Sequence, residues 1–306
     1  MNAGGEPVAR AWRSLRRHVA DAARHVETAR ARQVAADAGG TPTDRAVHGA
    51  RKSLKRARAF ARLLAPALGE PLAGAIDRRA RDVGRVLAPL RDAVAAQAAL
   101  DVVRARAGET AGLDAAAWEA VARACGAEED RSAQRGAAVA AVLDSAAAEL
   151  TTLRALLRTT GKPEPSAAAW VHGLRALHRT ARRAARAALA APEDDQRVHA
   201  ARSKWKRLGL AVRAYRAAAP ELVRPWVAEV EAVCALLGDD HDQVLVRERL
   251  ASGVDGVPEE ALERLRAASQ GVGAALRSEA LARLARLAAE PSKGFAARHR
   301  AYAAPD

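Results

Sequence analysis

Two short segments carry the residues best suited to chemistry. His48, Arg51, Lys55, Arg58 and Arg62 recur at intervals of three and four. His199, Arg202, Lys206, Arg213 and Arg216 follow the same intervals, with Gly209 in the place of Arg58. On a helix this spacing puts each set on one face. Residues 45–69 and 197–220 contain no Asp or Glu. Cations stacked one turn apart repel, and the usual Glu–Lys relief along a helix is missing here. Something outside each helix must therefore neutralise its stripe. Such a stripe offers binding of an extended anion: Arg presents planar forked donors and Lys a mobile point charge. Two more segments carry related rows, Arg10, Arg13, Arg17 and Arg24 in one and His172, Arg175, Arg179, Arg182 and Arg186 in the other.

These cations border apolar seams. Val47, Ala50, Leu54, Ala57, Ala61, Leu64 and Leu68 keep the core spacing of a helical bundle. Val198, Ala201, Trp205, Leu208, Val212 and Tyr215 do the same. One residue turns a helix by about 100°, so each stripe flanks its seam and does not lie opposite it. The chain reads as all helix. Ala, Leu, Arg and Glu dominate it, and no run of alternating β-branched residues argues for a sheet. Breaks are expected at Gly39–Pro42, Gly69–Pro71, Gly108–Thr110, Gly161–Pro165, Ala191–Pro192, Pro220, Gly238–Asp240 and Gly253–Pro258.

The halves repeat. Val47-His48-Gly49-Ala50-Arg51 recurs as Val198-His199-Ala200-Ala201-Arg202, and Lys55-Arg56 as Lys206-Arg207, each 151 residues on. Leu87 with Arg91-Asp92-Ala93-Val94 answers Leu237 with His241-Asp242-Gln243-Val244, 150 residues on. Trp12 heads a helix that answers the one near Trp170. An internal duplication follows, with about four helices per half, and short connections favour antiparallel bundles. The expected units are residues 7–160 and 166–290, then a tail over 291–306. Asp92 and Asp242 are expected to orient His48 and His199 as structural partners.

Composition narrows the function. Lys+Arg number 50 against 36 Asp+Glu, a net charge of +14 in 306 residues. A polyanionic partner is implied: nucleic acid, an anionic membrane surface or a phosphate polymer. Four of the six lysines, Lys52, Lys55, Lys204 and Lys206, fall in the two repeated segments. No apolar run is long enough for a membrane span, and no secretory signal opens the chain, so a cytoplasmic location is expected. Two cysteines supply neither a disulfide framework nor a cysteine zinc site. No phosphate-cradling Gly-rich loop and no nucleophile elbow occurs. Asp239, Asp240 and Asp242 with His241 are the one acidic cluster that a hard cation would favour. The matching first-half segment holds a single carboxylate, so no metal, cofactor or catalytic residue is expected.

Val47-His48-x-x-Arg51-Lys52-x-x-Lys55-Arg56-x-Arg58, then Leu87-x-x-x-Arg91-Asp92-x-x-Val94, resembles the CHAD family, the conserved histidine α-helical domain. The second half resembles that family's second repeat, through Val198-His199, Arg202, Lys206-Arg207-Leu208, Leu237-Gly238, Asp242 and Val244. The resemblance runs from about Val8 to about Leu287. It implies two pseudo-symmetric four-helix bundles around a basic groove or pore that binds inorganic polyphosphate, and an association with polyphosphate granules. The matching positions are His48, Arg51, Lys55 and Arg58, then His199, Arg202, Lys206 and Arg207. Two departures stand out. Gly209-Leu210 follow where the family often has Arg-Tyr, and Arg213 replaces a frequent carboxylate.

The expectation is a polyphosphate-binding module, not an enzyme. Its site comprises His48, Arg51, Lys52, Lys55, Arg58 and Arg62, Arg13 and Arg17, Arg175, Arg179 and Arg182, and His199, Arg202, Lys206, Arg207 and Arg213. A nucleic-acid binder ranks second, because single-strand binders need aromatic stacking platforms and Trp12, Trp170 and Trp205 fall on seams. A phosphotransfer module using His48 or His199, or a metal-dependent phosphohydrolase, is the third reading.

Overall fold

The computed structural model describes residues 6–36, 43–88, 90, 99–105, 113–126, 132–215 and 219–303. Among them every regular element is helical and no strand occurs. The helices are α1 (Glu6–Ala36), α2 (Thr43–Leu63), α3 (Ala65–Leu68), α4 (Glu70–Val86), α5 (Ala115–Gly126), α6 (Ser132–Thr159), α7 (Ala167–Ala190), α8 (Asp195–Arg213), α9 (Pro220–Leu250), α10 (Glu259–Ala289) and α11 (Ser292–Ala303). Residues 99–105 are also helical.

Local chemistry sets the ends. Ser166 Oγ accepts the Ala169 amide at 3.1 Å and opens α7. Asp194 Oδ1 accepts the Arg197 amide at 3.0 Å and opens α8. Each side chain satisfies an amide that the first helical turn leaves unpaired. Gly69 takes φ 83°, a value that favours glycine, and breaks the chain between α3 and α4. The break expected at Gly238–Asp240 is absent: α9 runs unbroken from Pro220 to Leu250. Gly238 is there for packing. A Cβ at this position would collide with the Arg202 guanidinium.

Apolar seams draw the helices into two rings. In the first, α1 packs on α2, α2 on α4, α4 on α6 and α6 on α1. In the second, α7 packs on α8, α8 on α9, α9 on α10 and α10 on α7. One continuous core fills both, from Trp12, Leu15 and Leu54 through Ile76 and Leu150 to Trp205, Val230 and Leu284. The rings meet where α2 packs on α8 and α7. There Gly173 has no room for a side chain, because a Cβ would collide with the Leu63 carbonyl.

Two segments extend the second ring. Residues 99–105 and α5 lie in the first half of the chain. Yet Leu100, Val103, Trp118 and Val121 share a separate apolar cluster with Val246 and Leu250 of α9 and Leu262 and Leu265 of α10. The expected C-terminal tail contains α11, which docks on α7. Phe295 and His299 are wholly buried there, and Phe295 stacks on His178 with ring centroids 4.1 Å apart. Phe295, His299 and Tyr302, spaced four and three apart, give α11 an apolar face to bury.

Candidate anion-binding site

The two seams read from sequence point inward. Val47, Ala50, Leu54, Ala57 and Ala61 of α2, and Val198, Ala201, Trp205, Leu208 and Val212 of α8, are all buried. That orientation leaves the flanking stripes beside the packing of α2 on α8. The basic residues fall into four groups with different fates.

The first group turns inward. Arg51 Nη1 donates to the Gly84 carbonyl of α4 at 2.9 Å. Arg202 Nε donates to the Cys234 carbonyl of α9 at 3.0 Å. Donors and acceptors correspond between halves, 151 and 150 residues apart. Each Arg thus ties its stripe helix to the helix that follows in its ring. Gly238 provides the room for Arg202 to lie along α9.

The second group is neutralised from within. Asp77 of α4 is only 6% exposed. Its carboxylate accepts Arg58 Nε at 2.8 Å and Arg62 Nε at 2.9 Å, and lies 3.5 Å from Arg207 Nη2 of α8. Glu70 adds an exposed contact to Arg62. Burial alone would raise the Asp77 pKa, but Arg207, Arg58 and Arg62 outweigh it and hold the carboxyl below its usual range. Arg207 is pulled the other way: burial lowers its pKa more than Asp77 raises it. Lys204 stands nearby, its pKa lowered by burial and then by Arg207. The outside partner that the acid-free stripe requires is thus partly Asp77. Its signal in the sequence is a carboxylate one residue off the α4 seam of Ala73, Ile76, Ala80 and Val83, a place that Asp82 shares.

The third group faces outward at the crossing. His48, Lys52, Lys55 and His199 are exposed, and Lys206 is half-buried. The His199 pKa is lowered by partial burial, then by His241, Arg202 and Lys55, so the α2 lysine and the α8 histidine share one electrostatic neighbourhood. The Lys206 pKa is likewise lowered by burial first, with Arg202 and Lys52 acting in the same direction. The His199 ring neighbours that of His241, with centroids 5.0 Å apart. Asp242 is half-buried on α9, and Asp92 lies outside the described residues.

Beside this face, α1, α2 and α8 enclose a cavity of about 760 Å³. Arg10, Arg13, Arg17, Arg56 and Arg213 line it, over a floor that includes Phe60 and Leu210. Arg13, Arg17 and Arg213 are among the residues expected from sequence. Arg56 was passed over, although it follows Lys55 in the repeated motif. His18, also in the wall, stacks on Phe60, and its pKa is lowered to about 4 by burial, then by Arg56 and Arg17.

The fourth group lies elsewhere. Arg175 and Arg179 line a smaller cavity of about 360 Å³ between α7 and α11, with His172 and Arg300. Arg182 Nε donates to the Ala288 carbonyl at 2.8 Å and satisfies the C-terminal end of α10. The α7 stripe therefore faces α10 and α11 and does not join the crossing. In the acidic cluster, Asp240 is buried and its carboxylate takes Arg277 Nε at 2.9 Å. Among the described residues, no three His, Cys, Asp or Glu side chains come together as metal ligands. No helix among them is long and apolar enough to cross a membrane.

Comparison with curated proteins and with solved structures gives no match. A family model, the CHAD domain, matches residues 20–251, well over half of the 306. The match spans α2, α4, α8 and the whole of α9, the helices that carry both stripes and their partners. This chain belongs to the CHAD domain family.

Proposed function

We propose that the chain binds inorganic polyphosphate along the outward face of the α2–α8 crossing. Lys52, Lys55 and Lys206 supply the charge, and His48 and His199 supply hydrogen bonds. The observation that carries this reading is the placing of exposed His48, Lys52 and Lys55 of α2 beside exposed His199 and half-buried Lys206 of α8, where the two helices pack together. His199 is disfavoured as a cation by burial and by Lys55, and Lys206 by burial and by Arg202 and Lys52. Cations held together against their own repulsion gain most from a linear polyanion. Lysine point charges tolerate a chain that shifts along them, and the helical pitch repeats them about every 5.4 Å. The CHAD membership supports the same ligand, because the family is associated with polyphosphate.

Binding without catalysis is part of this reading, as is a cytoplasmic role at polyphosphate granules. The buried state of Trp12, Trp170 and Trp205 favours polyphosphate over single-stranded nucleic acid, which would need exposed rings for its bases. Calorimetric titration with long-chain polyphosphate at about 50 and about 200 mM salt, beside DNA of matched charge, tests it. The expected result is salt-sensitive binding with a clear preference for polyphosphate. Equal affinity for DNA would overturn the reading.

A further inference from the structure

The crossing of α2 and α8 holds two arginine pairs at matching places. Arg56 and Arg207 are 151 residues apart, and so are Arg62 and Arg213. On one side Arg62 meets Arg207 and the buried Asp77 carboxylate serves both, at 2.9 Å and 3.5 Å. On the other side Arg56 faces Arg213. The position that answers Asp77, 150 residues on, is Val227, which is buried and apolar. Gly209 stands where the first half has Arg58. The second arginine pair thus lacks the buried carboxylate that holds its counterpart.

What it has instead is the cavity. Arg10, Arg13 and Arg17 of α1 join Arg56 and Arg213, and none of the described lining residues is acidic. The carboxylates nearby are committed at its margins. Glu231 pairs with Arg213 at the solvent edge, with both side chains about half exposed. Asp21 pairs with Arg24 and lies 3.6 Å from the His18 ring. Burial, then Arg213 and Arg17, hold the Arg56 pKa below its ordinary value. Each guanidinium fork can grip two phosphate oxygens, and the apolar floor of Phe60, Leu210 and Ala214 strengthens such contacts by excluding water on one side.

We propose that this cavity is a separate site for a compact, multiply charged phosphate of about tripolyphosphate size, standing where Asp77 stands on the opposite side of the crossing. A single phosphoryl group reaches too few of the five guanidiniums, whereas several linked ones engage Arg17, Arg56 and Arg213 together. The inference rests on the paired arginines and not on the polymer reading.

The test is calorimetric titration of the whole chain with inorganic tripolyphosphate. The wild type takes up one equivalent. Arg56→Gln, and the solvent-side variant Arg17→Gln, each weaken it about tenfold or more. Val227→Asp, which supplies the missing carboxylate, does so as well. Lys52→Gln/Lys55→Gln leaves tripolyphosphate affinity within about twofold while weakening long polyphosphate. Retained polymer binding in that variant would count against the lysine face and not against the cavity. Repeating the titration with long polyphosphate already bound distinguishes the source. Unchanged uptake means that the cavity takes a free small anion, and competition at one equivalent per chain means that it takes a polymer end. Full tripolyphosphate affinity in folded Arg17→Gln and Arg56→Gln, or no uptake by the wild type, overturns the proposal.

Discussion

On the Asp77 side of the α2–α8 crossing, Arg58, Arg62 and Arg207 close on one buried carboxylate. On the other side, Arg56 and Arg213 open into a cavity walled by α1. The arginines match in sequence, yet one set shares a buried carboxylate, whereas the other has only the half-exposed Glu231 contact at Arg213. Charge in a stripe therefore does not by itself mark a ligand contact. What decides is whether the neighbouring helix supplies the counter-charge.

The two sides should respond very differently to loss of an acid. Asp77→Ala takes the shared carboxylate from three partly buried guanidiniums and leaves Arg62 only its exposed Glu70 contact, and we expect a loss of about 3–5 kcal/mol in chemical denaturation. Glu231→Ala removes only an exposed pair and should cost about 0–1 kcal/mol. Similar losses would erase the distinction.

Acid should separate the sides too. Folded His18, in the cavity wall, takes up its proton near pH 4, whereas the unfolded chain does so near 6.5. The unfolded state binds more protons in this interval, so stability falls as pH drops from about 6.5 to about 4, by up to ~1.4 kcal/mol per pH unit. The Asp77 pKa is lowered too, so the sign is the same, but its interval lies further toward acid. Its contribution is present above the unfolded carboxyl value and is lost only as pH falls through a still lower one. Denaturation followed against pH should show the His18 loss first. His178 and His299, whose pKa values burial lowers to about 4 and about 3, act in the same interval, so His18→Gln should make that limb shallower without abolishing it, and an unchanged limb would contradict the assignment.

Arg51 and Arg202 provide the symmetric control. Each donates to a main-chain carbonyl of the next helix in its ring, at 2.9 Å and 3.0 Å. Arg51→Ala and Arg202→Ala should cost similar amounts, about 1–3 kcal/mol each by thermal or chemical denaturation. Clearly unequal costs would mean that the halves differ here as they do at Asp77 and Val227.

The smallest effect expected is on binding. A polyanion beside His199 offsets the repulsion from His241, Arg202 and Lys55, raises its pKa and favours proton uptake. Polyphosphate affinity should therefore rise as pH falls below about 7, by less than about tenfold for one histidine. His199→Gln should remove that rise. A pH dependence left intact by the variant would assign it to another group.

Much of this was legible in the sequence. The 3-4-3-4 seams of α2 and α8 are buried as their spacing requires, and the repeat aligns Arg51 with Arg202, although it does not announce the main-chain carbonyls that both reach. The rest depended on contacts between helices that no single segment encodes. Asp77 and Arg207 belong to different helices, and nothing local to either stripe announces their meeting. The α7 stripe looked equivalent to that of α2, but α10 and α11 pack along it, and Arg182 caps α10. Gly238 read as a break because glycine usually punctuates a helix, whereas here it clears space for the Arg202 side chain. The segment 291–306 is expected as a tail, yet Ser292–Ala303 form a helix too short to be stable alone. Phe295 and His299 make α11 stable by burying its face on α7.

The most direct test of the central claim uses two triple variants with the same loss of charge. Lys52→Gln/Lys55→Gln/Lys206→Gln removes three cations from the α2–α8 face. Arg175→Gln/Arg179→Gln/Arg300→Gln removes three from the α7–α11 cavity. Long-chain polyphosphate affinity should fall about tenfold or more in the first and by no more than about threefold in the second, with a shallower salt slope in the first alone. Equal losses in both would show a generic response to net charge and contradict the assignment of the polymer to the crossing.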